Sequence, residues 1–457
     1  MAELRPNVIL YVMDSLRGDR LGCYGYPKST TPNIDRFARD AVVFERAYAQ
    51  ATWTYPSAAS MLSGMYPSSL GVHSIRDPLP LNIPWLPEAL KNHGYATACF
   101  SANVLISQAF GFERGFDMLV DQFSDPDLPR YRLPVVLQAH HKRALQRYVD
   151  VSDLVLVTSD DLHRAFTSFA ERSSNVPFLS VIWSMDTHHP YFDREDLVSG
   201  SPDPIYHQQD IMQMQDPSKQ SELSELYDRM VWHNDRTFGE LLRTLNRLDL
   251  YDEAMIVALG DHGEAFGEHG IMTHSGRPYR VQTHVPLLVK LPRSVLAGTR
   301  RGEISQLIDV FPTLQTCFQF DDAYDVEPQG IPLLNGGDSH RATAWSEGEG
   351  QLSLRTKRWC YMRPQYVDTS GPGGGPLRAA IRDVTHGALF DLMHDPGETT
   401  NVSRHLRHSL SYVRLARQTR TIWHGNQRLR RNMVSDSPDL KPNAVVEDRL
   451  RALGYID

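Results

Sequence analysis

The sequence contains little cysteine. Only four cysteines are scattered over 457 residues, and no two of them form a CxxC pair. A disulfide framework needs several cysteines in a short secreted chain, and a cysteine zinc site needs closely paired ones. Neither is therefore indicated by the four residues, Cys23, Cys99, Cys317 and Cys360.

The sequence also lacks an excess of basic residues and any long apolar run. Its 47 lysines and arginines are outnumbered by 55 aspartates and glutamates, giving a net charge of −8, whereas nucleic-acid binders usually carry a basic face. The first apolar run, Val8–Met13, is too short for a signal peptide or a membrane span. We therefore expect a cytoplasmic protein without a nucleic-acid partner or an integral membrane segment, and the composition leaves a homo-oligomer open.

Buried strands are predicted where apolar residues follow one another without interruption. Val8–Met13 is such a run, typical of a strand covered on both faces of a parallel sheet. Further candidates are residues 96–100, 178–183, 254–259 and 285–289. Helical patterns lie between them, notably at residues 222–245 and 308–318. This alternation predicts an α/β fold with a mostly parallel central sheet and helices on both sides.

The chain after about residue 335 follows a different pattern. Strand signals become shorter, and residues 353–361 and 388–392 indicate antiparallel pairs in a smaller sheet. We therefore predict two units, residues 1–335 and an α+β subdomain over residues 336–457.

Three other segments carry weaker predictions. Residues 191–221 are polar and are predicted to be a loop that lines or covers a site. Residues 371–376 are rich in glycine and proline, which indicates a flexible loop. Residues 445–453 are predicted to form a short amphipathic helix.

Polar residues follow the predicted strands directly. Asp14 comes after the first strand, and Asp261 with His262 comes after residues 254–259. Ligands bind beyond the carboxyl ends of the strands in such sheets. Because Zn²⁺ and Mn²⁺ accept both carboxylate and imidazole ligands, these three residues would make a divalent cation site.

Thr54 precedes a predicted helix that stops at Gly64. The free N–H groups and the dipole of a helix N-terminus favour an alkoxide or an anionic substrate group. A nearby cation would lower the pKa of the hydroxyl so that it can attack. Ordinary structural roles explain these residues as well, since an aspartate after a strand is commonly a turn residue and Thr54 is a suitable N-cap.

Several sequence blocks resemble one known family in the same order along the chain. They include RPNVILYVMDSLRGDRLGCYGYP, WTYPSAASMLSGMYPSSLGVHS, DTHHPY, GDHGEAFGEHG, THVPLLVKLP and ALFDLMHDPGETTNVS. Together they are similar to the sulfatase family of the alkaline phosphatase superfamily over nearly the whole length. The resemblance implies a three-layer α/β/α sandwich with a catalytic domain over residues 1–335 and a smaller C-terminal subdomain with an antiparallel sheet.

The resemblance also implies roles for individual residues. Asp14, Asp261 and His262 match metal ligands, and Thr54 matches the nucleophile, which also contacts the metal. His188 matches a histidine that faces the substrate and assists the leaving group. His274 lies near the position of a residue that binds the anionic group, and we assign it a catalytic role. Asn103 and His189 are assigned to substrate binding.

The sequence departs from true sulfatases at two positions. Those enzymes carry Cys or Ser in a C/S-x-P-x-R motif that matures to formylglycine, whereas this chain has Thr54-Tyr55-Pro56-Ser57-Ala58. Threonine cannot become formylglycine, because its β-carbon carries a methyl group. Ser15 stands where sulfatases have a second aspartate, which favours Mn²⁺ or Zn²⁺ over Ca²⁺ or Mg²⁺. The pattern is closer to phosphonate monoester hydrolases and to lipoteichoic acid synthase.

These observations lead to one main hypothesis and two alternatives. The main one is a metal-dependent hydrolase or transferase that attacks a small phosphodiester or phosphonate monoester with Thr54. The first alternative is a sulfuric ester hydrolase that works without formylglycine, and the second is a catalytically silent relative that binds an anion or scaffolds a partner. One cation is the default. Candidate ligands for a second ion are Asp186, His188, His189, His274 and His284. Candidates for supporting the metal ligands or capping a helix are Glu264, Glu268 and His269.

Overall fold

The computed structural model describes most of the chain. The described residues are 5–121, 131–132, 155–173, 176–189, 191, 211, 214, 216–320, 322, 324–334, 341–348, 350–365 and 387–433.

Within the described residues, the central sheet has eight strands. They are β1 (Val8–Met13), β2 (Val42–Tyr48), β3 (Ala96–Ser101), β4 (Met118–Val120), β5 (Phe178–Ser184), β6 (Met255–Gly260), β7 (Leu287–Lys290) and β8 (Arg300–Gln306). Their order is β8-β2-β7-β6-β1-β5-β3-β4. All neighbours are parallel except β7, which is antiparallel to both β2 and β6. The prediction of a mostly parallel central sheet is confirmed.

Helices surround this sheet and extend into the C-terminal part. The α-helices are α1 (Pro32–Phe37), α2 (Thr54–Ser63), α3 (Pro67–Leu70), α4 (Leu86–Asn92), α5 (Ser159–Arg172), α6 (Pro217–Arg247), α7 (Arg280–Thr283), α8 (Val310–Phe318), α9 (Ser403–Leu406) and α10 (Leu410–Asn432). Helix α2 ends where predicted, because Gly64 adopts φ 71° and its N–H caps the carbonyl of Ser60.

Alternate residues of β1 pack into two separate cores. Val8, Leu10 and Val12 belong to the core shared with α2, α4 and α8. Ile9, Tyr11 and Met13 belong to the core shared with α1, α5 and α6. Because successive side chains of a strand point to opposite faces, this division makes the sheet the middle layer of an α/β/α sandwich.

The C-terminal part forms the smaller antiparallel sheet that was expected. Its strands, in spatial order, are β9 (Ala344–Gly348), β10 (Gln351–Arg355), β11 (Trp359–Pro364) and β12 (Ala388–Asp391). Trp345, Leu354 and Tyr361 of this sheet pack against Tyr412 and Trp423 of α10. Two further pairs of two-residue strands are Tyr131–Arg132 with Val155–Leu156 and Ala265–Phe266 with Met272–Thr273.

One predicted loop is wrong at its end. Residues 217–221 belong to α6, because the Asp216 side chain caps the helix and Pro217 occupies its first turn. Most of the remaining segment 191–216 lies outside the described residues. The predicted loop at 371–376, the helix at 445–453 and the boundary at 335/336 also lie outside them, so these stay predictions.

None of the helices in the described part of the chain combines the length and the hydropathy that a membrane span requires.

A buried ion pair in the C-terminal part also bonds to the N-terminal part. Arg355 on β10 and Glu398 are both almost fully buried, and Nη2 of Arg355 lies 2.8 Å from Oε1 of Glu398. Glu398 also accepts a hydrogen bond of 2.7 Å from the backbone N–H of Arg280. Glu398 thus joins the C-terminal sheet to the start of α7.

We expect Glu398→Ala to lower the free energy of unfolding by about 3–5 kcal/mol, because it leaves the Arg355 guanidinium buried without its counter-charge. The exposed pair of Glu171 and Arg247, 3.2 Å apart, supplies the control. Glu171→Ala is expected to cost less than about 1 kcal/mol. Urea unfolding followed by circular dichroism measures both, and equal small losses would contradict a stabilising role for Glu398.

Candidate active site

Two parallel strands bring the predicted metal ligands together. Met13 at the end of β1 lies opposite Gly260 at the end of β6. The next residues, Asp14 and Asp261, therefore leave the sheet side by side, followed by His262. All three side chains are buried. Parallel pairing in register is what makes residues so distant in sequence neighbours at one sheet edge.

Thr54 completes this group from the first turn of α2. Its Oγ1 lies 3.4 and 3.3 Å from the two carboxylate oxygens of Asp14 and 3.3 Å from Nε2 of His262. The side chain is fully buried, and the first turn of a helix has N–H groups without partners inside the helix. The hydroxyl is thus surrounded by the predicted metal ligands.

A divalent cation fits this donor set. One ligand atom from each of Asp14, Asp261 and His262 lies within 4.8 Å of the others. Oδ2 of Asp261 is buried and has no hydrogen-bond partner among the described residues, which is costly unless a cation compensates it. Carboxylate oxygens with one imidazole suit Zn²⁺ or Mn²⁺.

The backbone around these ligands fixes their orientation. The N–H groups of Ser15 and His262 donate to Oδ1 of Asp261 over 2.9 and 2.8 Å, which turns Oδ2 towards the site. Ser15 adopts φ 60°, an uncommon conformation for a residue other than glycine. Nδ1 of His262 donates to the carbonyl of Gly263 over 2.9 Å, so the lone pair of the ring lies on Nε2, beside Thr54.

The two carboxylates repel each other when no cation lies between them. Burial, and then the charge of Asp14, raises the pKa of Asp261 well above its usual value. A bound cation would reverse this effect by favouring the charged form.

Two further side chains hold Asp14. Nδ2 of Asn103 donates to Oδ2 of Asp14 over 2.6 Å and lies 3.4 Å from Oγ1 of Thr54. Nε1 of Trp183 donates to the same Oδ2 over 2.9 Å. Asn103 was expected to bind substrate, and this stays a prediction. In the structure its side chain contacts Asp14, a predicted metal ligand, and lies beside Thr54. Sequence analysis did not identify Trp183, because an indole at the end of a buried strand looks like an ordinary core residue.

Three histidines form a second buried group beside the first. The ring centroids of His188 and His189 are 4.2 Å apart, and those of His188 and His274 are 4.7 Å apart. His274 also lies 4.7 Å from the ring of His262. The structure thus brings the predicted residues His188, His189 and His274 together, next to the predicted metal site.

A buried carboxylate lies behind these histidines. Glu264 is fully buried, its oxygens lie 3.3 Å from Nδ1 of His274, and the hydroxyl of Tyr191 donates to Oε2 over 2.7 Å. Burial alone would raise the pKa of Glu264, but His274 and His189 hold it well below its usual value. Burial, followed by His189 and His274, lowers the pKa of His188 well below its usual value.

The backbone that carries His274 is strained. Both of its neighbours, Thr273 with φ 61° and Ser275 with φ 73°, adopt the left-handed region. Such conformations cost free energy and cluster at functional sites. Nothing in the amino-acid types of this segment predicts them.

Three candidates from the sequence, and the hydroxyl of Ser57 near Thr54, lie elsewhere or act structurally. The carboxylate of Asp186 accepts from Ser159 at the start of α5, and Nε2 of His284 bonds the carbonyl of Glu45, so neither belongs to the histidine group. Glu268 pairs with Arg17 over 2.7 Å. Ser57 donates its hydroxyl to the carbonyl of Asp261 over 2.6 Å.

Comparisons with known proteins place this site in context. The family model described as Sulfatase matches residues 6–320. The chain is 24% identical over 446 residues to arylsulfatase A of Homo sapiens, covering 87% of this chain and 83% of that protein. It is 23% identical to an N-acetylgalactosamine-6-O-sulfatase of Bacteroides thetaiotaomicron, covering 88% and 90%. The crystal structure of the phosphonate monoester hydrolase of Agrobacterium radiobacter superimposes with a TM-score of 0.70 at 20% identity, covering 92% of this chain and 96% of that chain, which shows a shared fold.

Proposed function

The chain belongs to the sulfatase family, and from this premise we propose that it hydrolyses small anionic phosphoesters with the Thr54 hydroxyl as nucleophile. The observation that carries the proposal is the position of Oγ1, 3.3 Å from both a carboxylate oxygen of Asp14 and Nε2 of His262. A phosphodiester or a phosphonate monoester is the proposed substrate class.

The residues after Thr54 support phosphoryl transfer. Ala58, at the position of the arginine in the formylglycine motif, is a fully buried core residue of α2. The chain therefore has neither the precursor of formylglycine nor the arginine of that motif, and the hydroxyl of Thr54 is the nucleophile that remains.

A divalent cation, Mn²⁺ or Zn²⁺, is proposed to bind Asp14, Thr54, Asp261 and His262, where it would lower the pKa of the hydroxyl and neutralise the oxygens of the ester. Asn103 and Trp183 would keep Asp14 in place during the reaction through their hydrogen bonds.

The proposed reaction has two displacements. The hydroxyl of Thr54 loses its proton to solvent, Oγ1 attacks phosphorus, a Thr–O–P bond forms, and the bond from phosphorus to the leaving oxygen breaks. The N–H groups at the start of α2 stabilise the charge on the nonbridging oxygens. Water then attacks phosphorus and releases Thr54, or an alcohol does so if the enzyme is a transferase.

The leaving oxygen requires a proton or another source of positive charge. His188 and His274 were expected to supply the proton, and this stays a prediction. Because burial lowers the pKa of His188, its imidazole is neutral near pH 7 and a weak proton donor. His274, with Glu264 beside its Nδ1, is the stronger candidate when the site holds a single cation.

Assays on four ester classes test the proposed substrate. We expect aryl phosphodiesters or phosphonate monoesters to be turned over faster than aryl phosphate monoesters and aryl sulfates. Mn²⁺ or Zn²⁺ should support higher rates than Ca²⁺, since the ligand set includes an imidazole. The measurement is kcat/KM for each ester with each ion, on protein purified without a chelator.

Sulfate-ester hydrolysis by Thr54 is the second candidate function. The observation that favours it is the set of relatives, since arylsulfatase A and the N-acetylgalactosamine-6-O-sulfatase both carry sulfatase names. A higher kcat/KM on the aryl sulfate than on every phosphorus ester would establish it in place of the phosphoester proposal. Absence of turnover on all four classes, together with absence of bound metal, would indicate a silent anion-binding or scaffold protein.

A further inference from the structure

We propose that His188, His189 and His274 hold a second divalent cation of the Zn²⁺ class, beside the site formed by Asp14, Asp261 and His262. One ring nitrogen from each of the three histidines lies within 4.8 Å of the others, and all three side chains are buried. Three imidazoles with a remaining open position form a common zinc arrangement in enzymes.

The tautomers of two of the three rings, His188 and His274, suit a cation. Nδ1 of His274 faces the carboxylate of Glu264, and Nδ1 of His188 faces the carbonyl of His189. Both acceptors fix the hydrogen on Nδ1 and so place the lone pair on Nε2, as in metal-bound histidines.

His189 supplies the independent observation. The side chain is 2% exposed, yet neither ring nitrogen has a hydrogen-bond partner among the described residues. Its Nδ1 lies 3.8 Å from Oε2 of Glu264, beyond hydrogen-bond distance. A buried imidazole whose two ring nitrogens make no hydrogen bond is unfavourable in the absence of a ligand, and a cation would satisfy one of them.

The charge of Glu264 favours a cation over an anion at this place. The carboxylate is fully buried, and the hydroxyl of Tyr191 donates to it. A divalent ion near Asp14 and Asp261 would neutralise those two charges and leave the charge of Glu264 to be compensated. A cation held by the three histidines compensates it, whereas an anionic group bound there would add to it.

This inference rests on the proposed function for the position of the substrate, and it changes one part of it. With His274 bound to a cation, that imidazole is no longer the proton donor, and the positive charge of the bound cation would stabilise the leaving oxygen instead. The rings of His274 and His262 are neighbours, so both ions would border the same substrate.

Metal content after equilibration with Zn²⁺ alone tests the inference. Plasma mass spectrometry of the full chain is expected to give two ions per chain, and one ion each for His189→Gln and Asp14→Asn. Co²⁺ absorption adds an independent readout, since loss of His189 should remove one visible band set and keep the other. One ion in both the wild type and His189→Gln would overturn the proposal.

Two further measurements keep the result interpretable. His163→Gln removes a partly buried imidazole of α5 that bonds Thr244, and it should retain two ions. Circular dichroism checks that each variant is folded, and His274→Gln replaces His189→Gln if the latter is not. If the wild type binds two ions and Thr54→Ala keeps full turnover, the proposed nucleophile is wrong and this inference stands. If the wild type binds one ion and Thr54→Ala is inactive, the proposed nucleophile stands and this inference is wrong.

Discussion

Thr54→Ala is expected to lower kcat on the best phosphorus ester by at least about 10³-fold, because it removes the hydroxyl that is proposed to form the covalent intermediate. The fold should survive, since the change removes one hydroxyl and one methyl group from a helix terminus. Single-turnover kinetics and mass spectrometry measure the effect, and the phosphorylated threonine expected in the wild type should be absent from the variant.

Thr54→Ser is the matched control. It keeps the hydroxyl at the same position, so a substantial part of kcat should remain. Full turnover in Thr54→Ala would show that the assignment is wrong. Ser57 is poorly placed to replace it, because its hydroxyl donates to the carbonyl of Asp261, and a bound water would then be the more reasonable nucleophile.

Removal of metal is expected to abolish turnover and to make stability depend on pH. Burial and Asp14 raise the pKa of Asp261 well above its usual value, so the metal-free folded protein holds a proton that the unfolded chain releases near pH 4. The corresponding stability is present below that pH and is lost as the pH rises through the raised pKa of the folded state. Thermal unfolding after chelation, from pH 4 upwards, measures the decline.

Asp261→Asn distinguishes the pH dependence of stability due to Asp261 from that due to other titrating groups. The variant lacks the carboxyl, so after chelation the midpoint temperature of unfolding should fall less with pH than in the wild type. Added Mn²⁺ or Zn²⁺ should raise the midpoint of the wild type, increasingly so at higher pH, because ligands must lose their protons to bind. Equal pH profiles of the chelated wild type and variant would contradict the assignment of Asp261.

The main strands could be predicted because burial acts on each residue separately. Val8–Met13 consists of apolar residues because both faces of β1 are covered. Strands β2 and β8 were not predicted, since Val42–Tyr48 and Arg300–Gln306 contain charged residues in half-buried positions. Such mixed segments lack a clear periodic pattern. They form strands because β8, at the edge of the sheet, pairs with β2.

The candidate site could be predicted in part, for a different reason. The amino-acid types after β1 and β6 identified Asp14, Asp261 and His262, because parallel strands end at one edge of a sheet. No comparable pattern in the amino-acid types predicts that Trp183 contacts Asp14 or that Tyr191 contacts Glu264. Those contacts join residues more than 70 positions apart, and they depend on how helices and connections cross the sheet.

The sequence by itself determined the fold class and the replacement of the formylglycine precursor by Thr54, because periodic burial and residue chemistry are local properties. Only the tertiary structure decided that His188, His189 and His274 form one buried group against Glu264 while Asp186 and His284 lie elsewhere. The four histidines and one aspartate that were candidate ligands for a second ion looked equivalent along the chain. Their separation follows from backbone direction and packing, which set where each side chain points and which charges must compensate one another.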